Sequence, residues 1–296
     1  MITGPRGFVA RHALARWSDA YGLGSDDCEV NILDTEAVES FLARFPPQEV
    51  LHLAGQSFVP KSFEDPEHTF QVNAIGTHRL LSALNNTGFR GRFLYVSTSD
   101  VYGLVSSHDL PLRETQLPHP RNPYAASKVA AEAICQQWSA CADFDVLIAR
   151  PFNHIGPGQD ARFVVSGFAR QFVEMRLGLR PAVLEVGNLD VSRDFSDVTD
   201  VLEAYRLLLS TGQDGEIYNV CSGIERRLDD IIKMLCEISG VHPHIEVNQN
   251  RLRPVDQPRY CGSHEKLTKV TGWQPQIDFR HTLTKLFNYW ETQIGK

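Results

Sequence analysis

Thr3-Gly4-Pro5-Arg6-Gly7-Phe8-Val9-Ala10 sets two glycines three residues apart and closes the pattern G-x-x-G-x-x-A with a small residue. Glycine accepts the left-handed backbone of a tight turn and puts no Cβ between the chain and a ligand. A helix starting after the second glycine offers its first N–H groups to an anion. Ala10 fills the third small position, where helix and strand pack closely. The stretch reads as a strand–turn–helix that cradles a dinucleotide pyrophosphate, with Gly4, Arg6, Gly7, Phe8 and Val9 as its lining.

Working outward, the first half of the chain alternates short apolar runs with helical stretches, the pattern of parallel βαβ units. Glu49–Ala54, Arg92–Ser97 and Asp145–Arg150 read as buried strands, and 35–45, 67–88 and 123–142 as helices. After Pro151 loops and short elements take over, although 198–211 still reads as a helix. These features predict an α/β fold, a Rossmann-type doubly wound parallel sheet with a smaller C-terminal α/β substrate lobe. The dinucleotide-binding part is expected over 1–160 plus about 196–221, and the second lobe over about 161–195 and 222–296. Two features depart from that plan. The first strand is only about three residues where five or six are usual, and 22–28 reads as loop where a second strand is expected.

Composition narrows the classes. Hydrophobic residues are 42% and charged residues 22% of 296, ordinary for a globular protein. A net charge of −7 argues against non-specific nucleic-acid binding. No apolar run reaches the roughly 18 residues of a membrane span, and Met1-Ile2-Thr3-Gly4 lacks the features of a signal peptide. Cys28, Cys135, Cys141, Cys221, Cys236 and Cys261 form no CxxC pair, so reduced thiols, no metal site and a cytoplasmic location are expected. There are no internal repeats or low-complexity stretches.

The acidic residue that usually meets the adenosine ribose has no clear counterpart, since Asp26 and Asp27 fall in apparent loop. Arg6 is placed to face a 2′-phosphate instead. Asp34, closing Asn31-Ile32-Leu33, suits either the adenine edge or the N-cap of a helix at Thr35-Glu36. NADPH and NADH both remain open as cofactor.

Tyr124-Ala125-Ala126-Ser127-Lys128 sets a phenol and an ammonium on one helix face. A cation there favours phenolate, so Tyr124 becomes able to exchange a proton with a carbonyl or carbinol oxygen, and Lys128 can also hold a ribose. Ser97-Thr98-Ser99-Asp100-Val101-Tyr102-Gly103 follows a strand, so its hydroxyls emerge at the carboxyl edge of the sheet, where ligands bind in open parallel sheets. Thr98 is the candidate donor to the reacting oxygen. Tyr102 reads as packing.

The ordered set Thr3-Gly4…Gly7-Phe8, Asn31–Asp34, His52-Leu53-Ala54-Gly55, Ser97–Gly103, Tyr124…Lys128 and Arg150-Pro151-Phe152-Asn153 resembles an extended short-chain dehydrogenase/reductase over nearly the whole chain. Val186-Gly187-Asn188-Leu189-Asp190-Val191-Ser192-Arg193-Asp194-Phe195 is similar to the GDP-mannose 4,6-dehydratase branch. So are Asn153-His154-Ile155-Gly156-Pro157-Gly158-Gln159, Tyr218–Gly223, Arg251–Asp256 and Thr271-Gly272-Trp273-Gln274-Pro275. The resemblance implies that Leu33, Asp34, Leu53, Ala54, Gly55 and His154 line the cofactor. It implies that Gln56, Thr98, Ser99, Asn153, Arg193 and Arg253 bind substrate, the last three at its diphosphate, with Asp256 at its ribose.

Two departures from the dehydratases carry weight. Asp100 stands where they have glutamate as the base for water elimination, and Phe8-Val9 replaces their Gln-Asp. Both make the chain most similar to the keto-sugar reductases of the branch. The implied reaction is NAD(P)H-dependent reduction of the C4 ketone of a GDP-linked 6-deoxy-4-keto-hexose, GDP-4-dehydro-6-deoxy-D-mannose, to GDP-D-rhamnose. Thr98, Tyr124, Lys128 and Asp100 form the implied catalytic set. The alternatives are a dehydratase, a sugar 4-epimerase, or a non-catalytic dinucleotide sensor, which would be expected to lack Tyr124 or Lys128. A homodimer built through 67–88 and 123–142 is also implied. Val129, Ala130, Ala131, Ala133 and Ile134 suit either that interface or burial against their own sheet.

Overall fold

A strand buried on both faces sends alternate side chains into two separate cores, and the apolar runs of this chain do so. β1 (Glu49–His52), β2 (Arg92–Val96) and β3 (Asp145–Pro151) form a parallel sheet, in which β7 (Ile217–Val220) lies beyond β3. Val50, Phe93, Tyr95, Val146 and Ile148 point into one core, whereas Leu51, Leu94, Val96, Leu147, Ala149, Tyr218 and Val220 point into the other. α1 (Phe8–Arg16) packs into the second of these. α2 (Thr35–Arg44), α5 (Gly76–Asn86) and α6 (Pro123–Ser139) cover the first. α3 (Val59–Glu64) and α4 (Pro66–Phe70) precede α5, and α8 (Val198–Thr211) joins α1. The sheet is therefore doubly wound, as the alternation predicts. The computed structural model describes residues 1–24, 30–249 and 257–295.

The expected amino-terminal strand of about three residues shrinks to a pair of isolated bridges at one residue. Ile2 alone bridges in parallel to Leu51 on one side and Gly22 on the other. Leu23 N donates to Ile2 O at 2.8 Å, so the residues read as loop carry one sheet contact at Gly22. Asp26, Asp27 and Cys28 lie outside the described residues.

The remaining elements build a second core. β5 (Val183–Val186) pairs with β9 (His244–Val247), while β6 (Ser192–Asp197) lies between β4 (Asn153–Ile155) and β8 (Glu225–Arg227). α7 (Val164–Arg176), α9 (Leu228–Ser239) and α11 (Phe279–Ile294) bury Phe168, Phe172, Ile231, Leu235, Leu283 and Phe287 together. α10 (Glu265–Thr271) brings Leu267 back to the sheet. The Thr271–Pro275 segment earns its place structurally: Trp273 Nε1 donates to Asp200 O, and the Asp200 carboxylate accepts from Gln276 N and Ile277 N.

The helix read over 67–88 is interrupted, since Gln71–Ile75 widens into a π turn between α4 and α5. Such turns cost hydrogen-bond regularity and recur at functional sites. The proposed interface stretch divides, with Ala131 buried against the sheet and Ala133 exposed.

Candidate active site

Four loops leave the carboxyl ends of parallel strands on one edge of the sheet: Leu53–Gly55, Ser97–Tyr102, the turn around Phe152 and Cys221–Gly223. The glycine turn meets this edge. Gly4 has φ +64°, and a Cβ on it would sit 3.0 Å from the Ala54 Cα. A Cβ on Gly7 would lie 3.2 Å from Gly4 O. Gly7 caps α1 without a side-chain hydrogen bond, and the first turn of α1 holds no acidic residue, so its N–H groups have no competing anion. At Gly55 a Cβ would lie 3.0 Å from Asn73 Oδ1 and 3.7 Å from Lys128 Nζ. A continuous bare-backbone cradle thus runs from Gly4 and Gly7 past Leu53, Ala54 and Gly55 to Lys128. The shape and donor chemistry fit a dinucleotide.

One buried chain of hydrogen bonds holds that cradle. Thr3 Oγ1 accepts from Leu53 N and Ala54 N at 3.0 and 2.9 Å and lies 2.7 Å from His52 Nδ1. His52 Nε2 meets Thr77 Oγ1 at 3.0 Å, and Thr77 donates to Asn73 O at 2.6 Å. Since the Thr77 proton goes to Asn73, Nε2 must carry the imidazole proton and Nδ1 must accept from Thr3. Burial, aided by Lys128, pushes the His52 pKa down to about 3, which keeps the ring neutral as this chain requires.

Tyr124 and Lys128 sit in the first two turns of α6, capped by Asn122 through Ala125 N. The Thr98 hydroxyl lies close enough to the Tyr124 phenol to lower its pKa. Thr98 Oγ1 accepts from Asp100 N at 3.2 Å, which leaves its own proton available to an acceptor in the site. The expectation that Lys128 favours phenolate needs correction. Its ammonium donates to Val96 O at 2.8 Å and lies over the Tyr95 ring at 4.9 Å. Burial first, then the Asp100 charge, raise the Tyr124 pKa, and the neighbouring Thr98 hydroxyl only partly offsets them. Burial lowers Lys128 to about 8.

The Asp34 side chain accepts from Ala37 N as the N-cap of α2, the second of its two readings, with Leu33 O held by Arg79. Arg6 is exposed beside the glycine turn. Phe8 stacks on His154 with ring planes 7° apart, and His154 Nδ1 donates to Phe152 O while burial lowers its pKa. Gln56 is tied inward: its backbone pairs with the Asn73 amide and its Oε1 accepts from Phe58 N. With Gly55, Ser57, Phe58, Lys61, Glu64 and Arg162 it lines a cavity of about 430 Å³. Asn153 is exposed, and Ser99 is buried. The Arg193 guanidinium donates to Gln257 O at 2.6 Å, fixing the chain where it leaves 250–256. Arg253 and Asp256 lie outside the described residues. Asp194, next to Arg193, is wholly buried and accepts from Ser222 N, Ser222 Oγ and Gly223 N.

Sequence reasoning missed Asn73, which links the π turn to Gln56 and Ser127, and the buried Glu132–Arg150 pair. An acidic residue two helical turns beyond Tyr124 and a basic residue ending a strand were its only signals. Tyr102, read as packing, lies under the Arg150 guanidinium and donates to Asn219.

The family described as GDP-mannose 4,6 dehydratase matches residues 26–286. The chain is 45% identical to a GDP-6-deoxy-D-mannose reductase of Pseudomonas aeruginosa, over 99% of this chain and 97% of that one. It is 30% identical to a GDP-6-deoxy-D-talose 4-dehydrogenase of Aggregatibacter actinomycetemcomitans, over 95% and 92% of the two chains. Among solved structures, RMD from Pseudomonas aeruginosa complexed with NADPH superposes with a TM-score of 0.92 at 44% identity, covering 99% of this chain and 98% of that one.

Proposed function

Because this chain belongs to the GDP-mannose 4,6-dehydratase family of extended short-chain dehydrogenases/reductases, we propose that it reduces the C4 ketone of GDP-4-dehydro-6-deoxy-D-mannose to give GDP-D-rhamnose. The observation that carries the reading is the full-length likeness to a GDP-6-deoxy-D-mannose reductase. The site chemistry supports it.

Gly4, Gly7, Phe8, Ala54, Gly55 and His154 would hold the dinucleotide, and Lys128 would hold its ribose. When bound, NADPH or NADH supplies the two-electron reducing equivalent for the ketone carbon; the NADPH-bound relative favours the former. Tyr124 delivers its phenolic proton to the ketone oxygen, and Thr98 donates a hydrogen bond to the same oxygen. The raised Tyr124 pKa suits this direction, because the reductive step needs the phenol protonated. Lys128, within reach of the Gly55 cradle, keeps positive charge close to the emerging alkoxide. Asp100 orients a sugar hydroxyl, and its shorter reach withholds the base that a dehydratase needs. Asn153, Arg193 and Arg253 bind the diphosphate, as planar guanidinium forks do, while Asp256, Gln56 and Ser99 contact the remainder of the substrate.

The protein acts in the cytoplasm as a homodimer joined through α5 and α6. No helix among the described residues is long and apolar enough to cross a membrane. The test is incubation of the purified protein with the keto sugar and NADPH. Loss of reduced-nicotinamide absorbance with a GDP-6-deoxyhexose product supports the reading. Conversion of GDP-mannose to the keto sugar, without reduction of the latter, would make the protein a dehydratase.

A further inference from the structure

Thr98 stands in extended backbone just past the end of β2, at the head of a single 3-10 turn, Ser99–Tyr102. Gly103 N closes that turn on Asp100 O at 3.1 Å, but the bond that reaches the Thr98 carbonyl, from Val101 N, is long at 3.5 Å. A hydroxyl that must meet a reacting oxygen needs placement far better than such a turn supplies, since errors near 1 Å cost rate steeply.

Both neighbours of Thr98 are tied elsewhere. Ser97 N donates to Ala149 O at 2.8 Å, and Ser97 Oγ donates to Glu132 Oε1 at 2.5 Å. Glu132 lies on α6, the helix that carries Tyr124, so holding Ser97 to Glu132 sets Thr98 relative to the phenol. Glu132 is itself fixed by a fork from Arg150, Nε at 2.9 Å and NH2 at 2.6 Å. On the other side, Tyr260 donates its hydroxyl to Ser99 O at 2.5 Å. Its ring packs on Phe152, and the segment it lies on is bonded on either side of it, Pro258 O accepting from Ser192 N and Cys261 O from Leu112 N. Ser97 and Ser99 are 3% and 4% exposed, so water does not compete for these bonds.

We infer that Glu132 and Tyr260 are positioning residues, which hold the Thr98 hydroxyl in place beside Tyr124 by clamping Ser97 and Ser99 from opposite sides. The inference deepens the proposed reduction and rests on it. It also joins the second lobe to the chemistry, because Tyr260 follows closely on Gln257, whose carbonyl Arg193 holds.

Ser97→Ala and Tyr260→Phe each remove one hydroxyl and no charge. Each is expected to lower kcat about ten-fold, with KM for NADPH and for the keto sugar within about two-fold, and Ser97→Thr is expected to restore kcat. A second readout needs no turnover: in protein labelled with carbon-13 at tyrosine Cζ, the Tyr124 signal, assigned with Tyr124→Phe, reports the surroundings of its phenol, Thr98 among them, and is expected to move in both variants. Unchanged kcat with an unmoved Tyr124 signal in both would overturn the clamp. So would a rise in KM at unchanged kcat, which marks a binding role instead. If Ser97→Ala fails to fold, judged by NADPH binding and melting, Tyr260→Phe decides alone. If the wild type leaves the keto sugar untouched while the Tyr124 signal moves, the reductase reading fails and the clamp stands.

Discussion

Replacing Glu132 with alanine is expected to be among the most damaging single changes in the sheet domain. Its carboxylate is 5% exposed and its partner Arg150 is 2% exposed, with 2.6 Å between them. Burial alone would lower the Arg150 pKa, but Glu132 overrides it and holds the group charged. The variant therefore leaves a guanidinium stranded in the core, with Arg150 NH1 lacking a partner even now. Breaking a buried pair from one side costs about 3–5 kcal/mol. At roughly 2 °C per kcal/mol for a chain of this size, calorimetry should record a Tm lower by about 6–10 °C. The double variant Glu132→Met/Arg150→Met removes both charges and keeps the volume, and such swaps are often neutral. Only the Ser97 hydroxyl is then orphaned, at about 1–3 kcal/mol. The double should thus recover at least half of the lost Tm while staying slow in turnover, because Ser97 has lost its acceptor. A double variant as unstable as the single would refute the argument, as would a single variant within about 1 kcal/mol of wild type.

Three further outcomes are expected. Tyr124→Phe should lower kcat by about 10²–10⁴ with NADPH binding and Tm unchanged, and retention of near-normal turnover would remove Tyr124 from the proton step. Lys128, lowered by burial to about 8 from its ordinary 10.5, should make kcat/KM fall as pH rises through about 8. Because the unfolded chain then binds the extra proton between the two values, wild-type stability relative to Lys128→Met should rise with pH across that window, as urea titrations would show. Gly4→Ala forces a left-handed backbone, about 1–2 kcal/mol, and presses a methyl on the Ala54 Cα at 3.0 Å. NADPH affinity, followed by fluorescence, should fall at least about ten-fold, and an unchanged Kd would show that the cofactor does not approach this turn.

Three strands of the sheet were legible because a parallel sheet buries both faces, so Phe93–Val96 and Val146–Ala149 are unbroken apolar runs, whereas the four-residue β7 (Ile217–Val220), broken by Asn219, gives no such signal. The glycine turn and the Tyr124–Lys128 pair were legible because each is local, fixed by spacing along a single helix or turn. What joins them was not. His52 to Thr77, Ser97 to Glu132 and Ser99 to Tyr260 span separations of 25, 35 and 161 residues. No periodicity announces such contacts, which exist only once the sheet has brought the strands together. Lys128 shows the same limit. Its spacing from Tyr124 is as expected, but the Val96 carbonyl at the end of β2 decides where its ammonium points. Asp194 stands inside the motif that narrows the substrate, yet its carboxylate holds the loop at Ser222 and Gly223 together.

The most direct test of the central claim follows the reducing equivalent itself. The wild-type protein is given GDP-4-dehydro-6-deoxy-D-mannose and NADPH deuterated at the transferable position of the nicotinamide, and the product is read by NMR. Deuterium at C4 of a GDP-6-deoxyhexose is the result the account expects. Undeuterated, unreduced keto sugar, or deuterium at any other carbon, would contradict it.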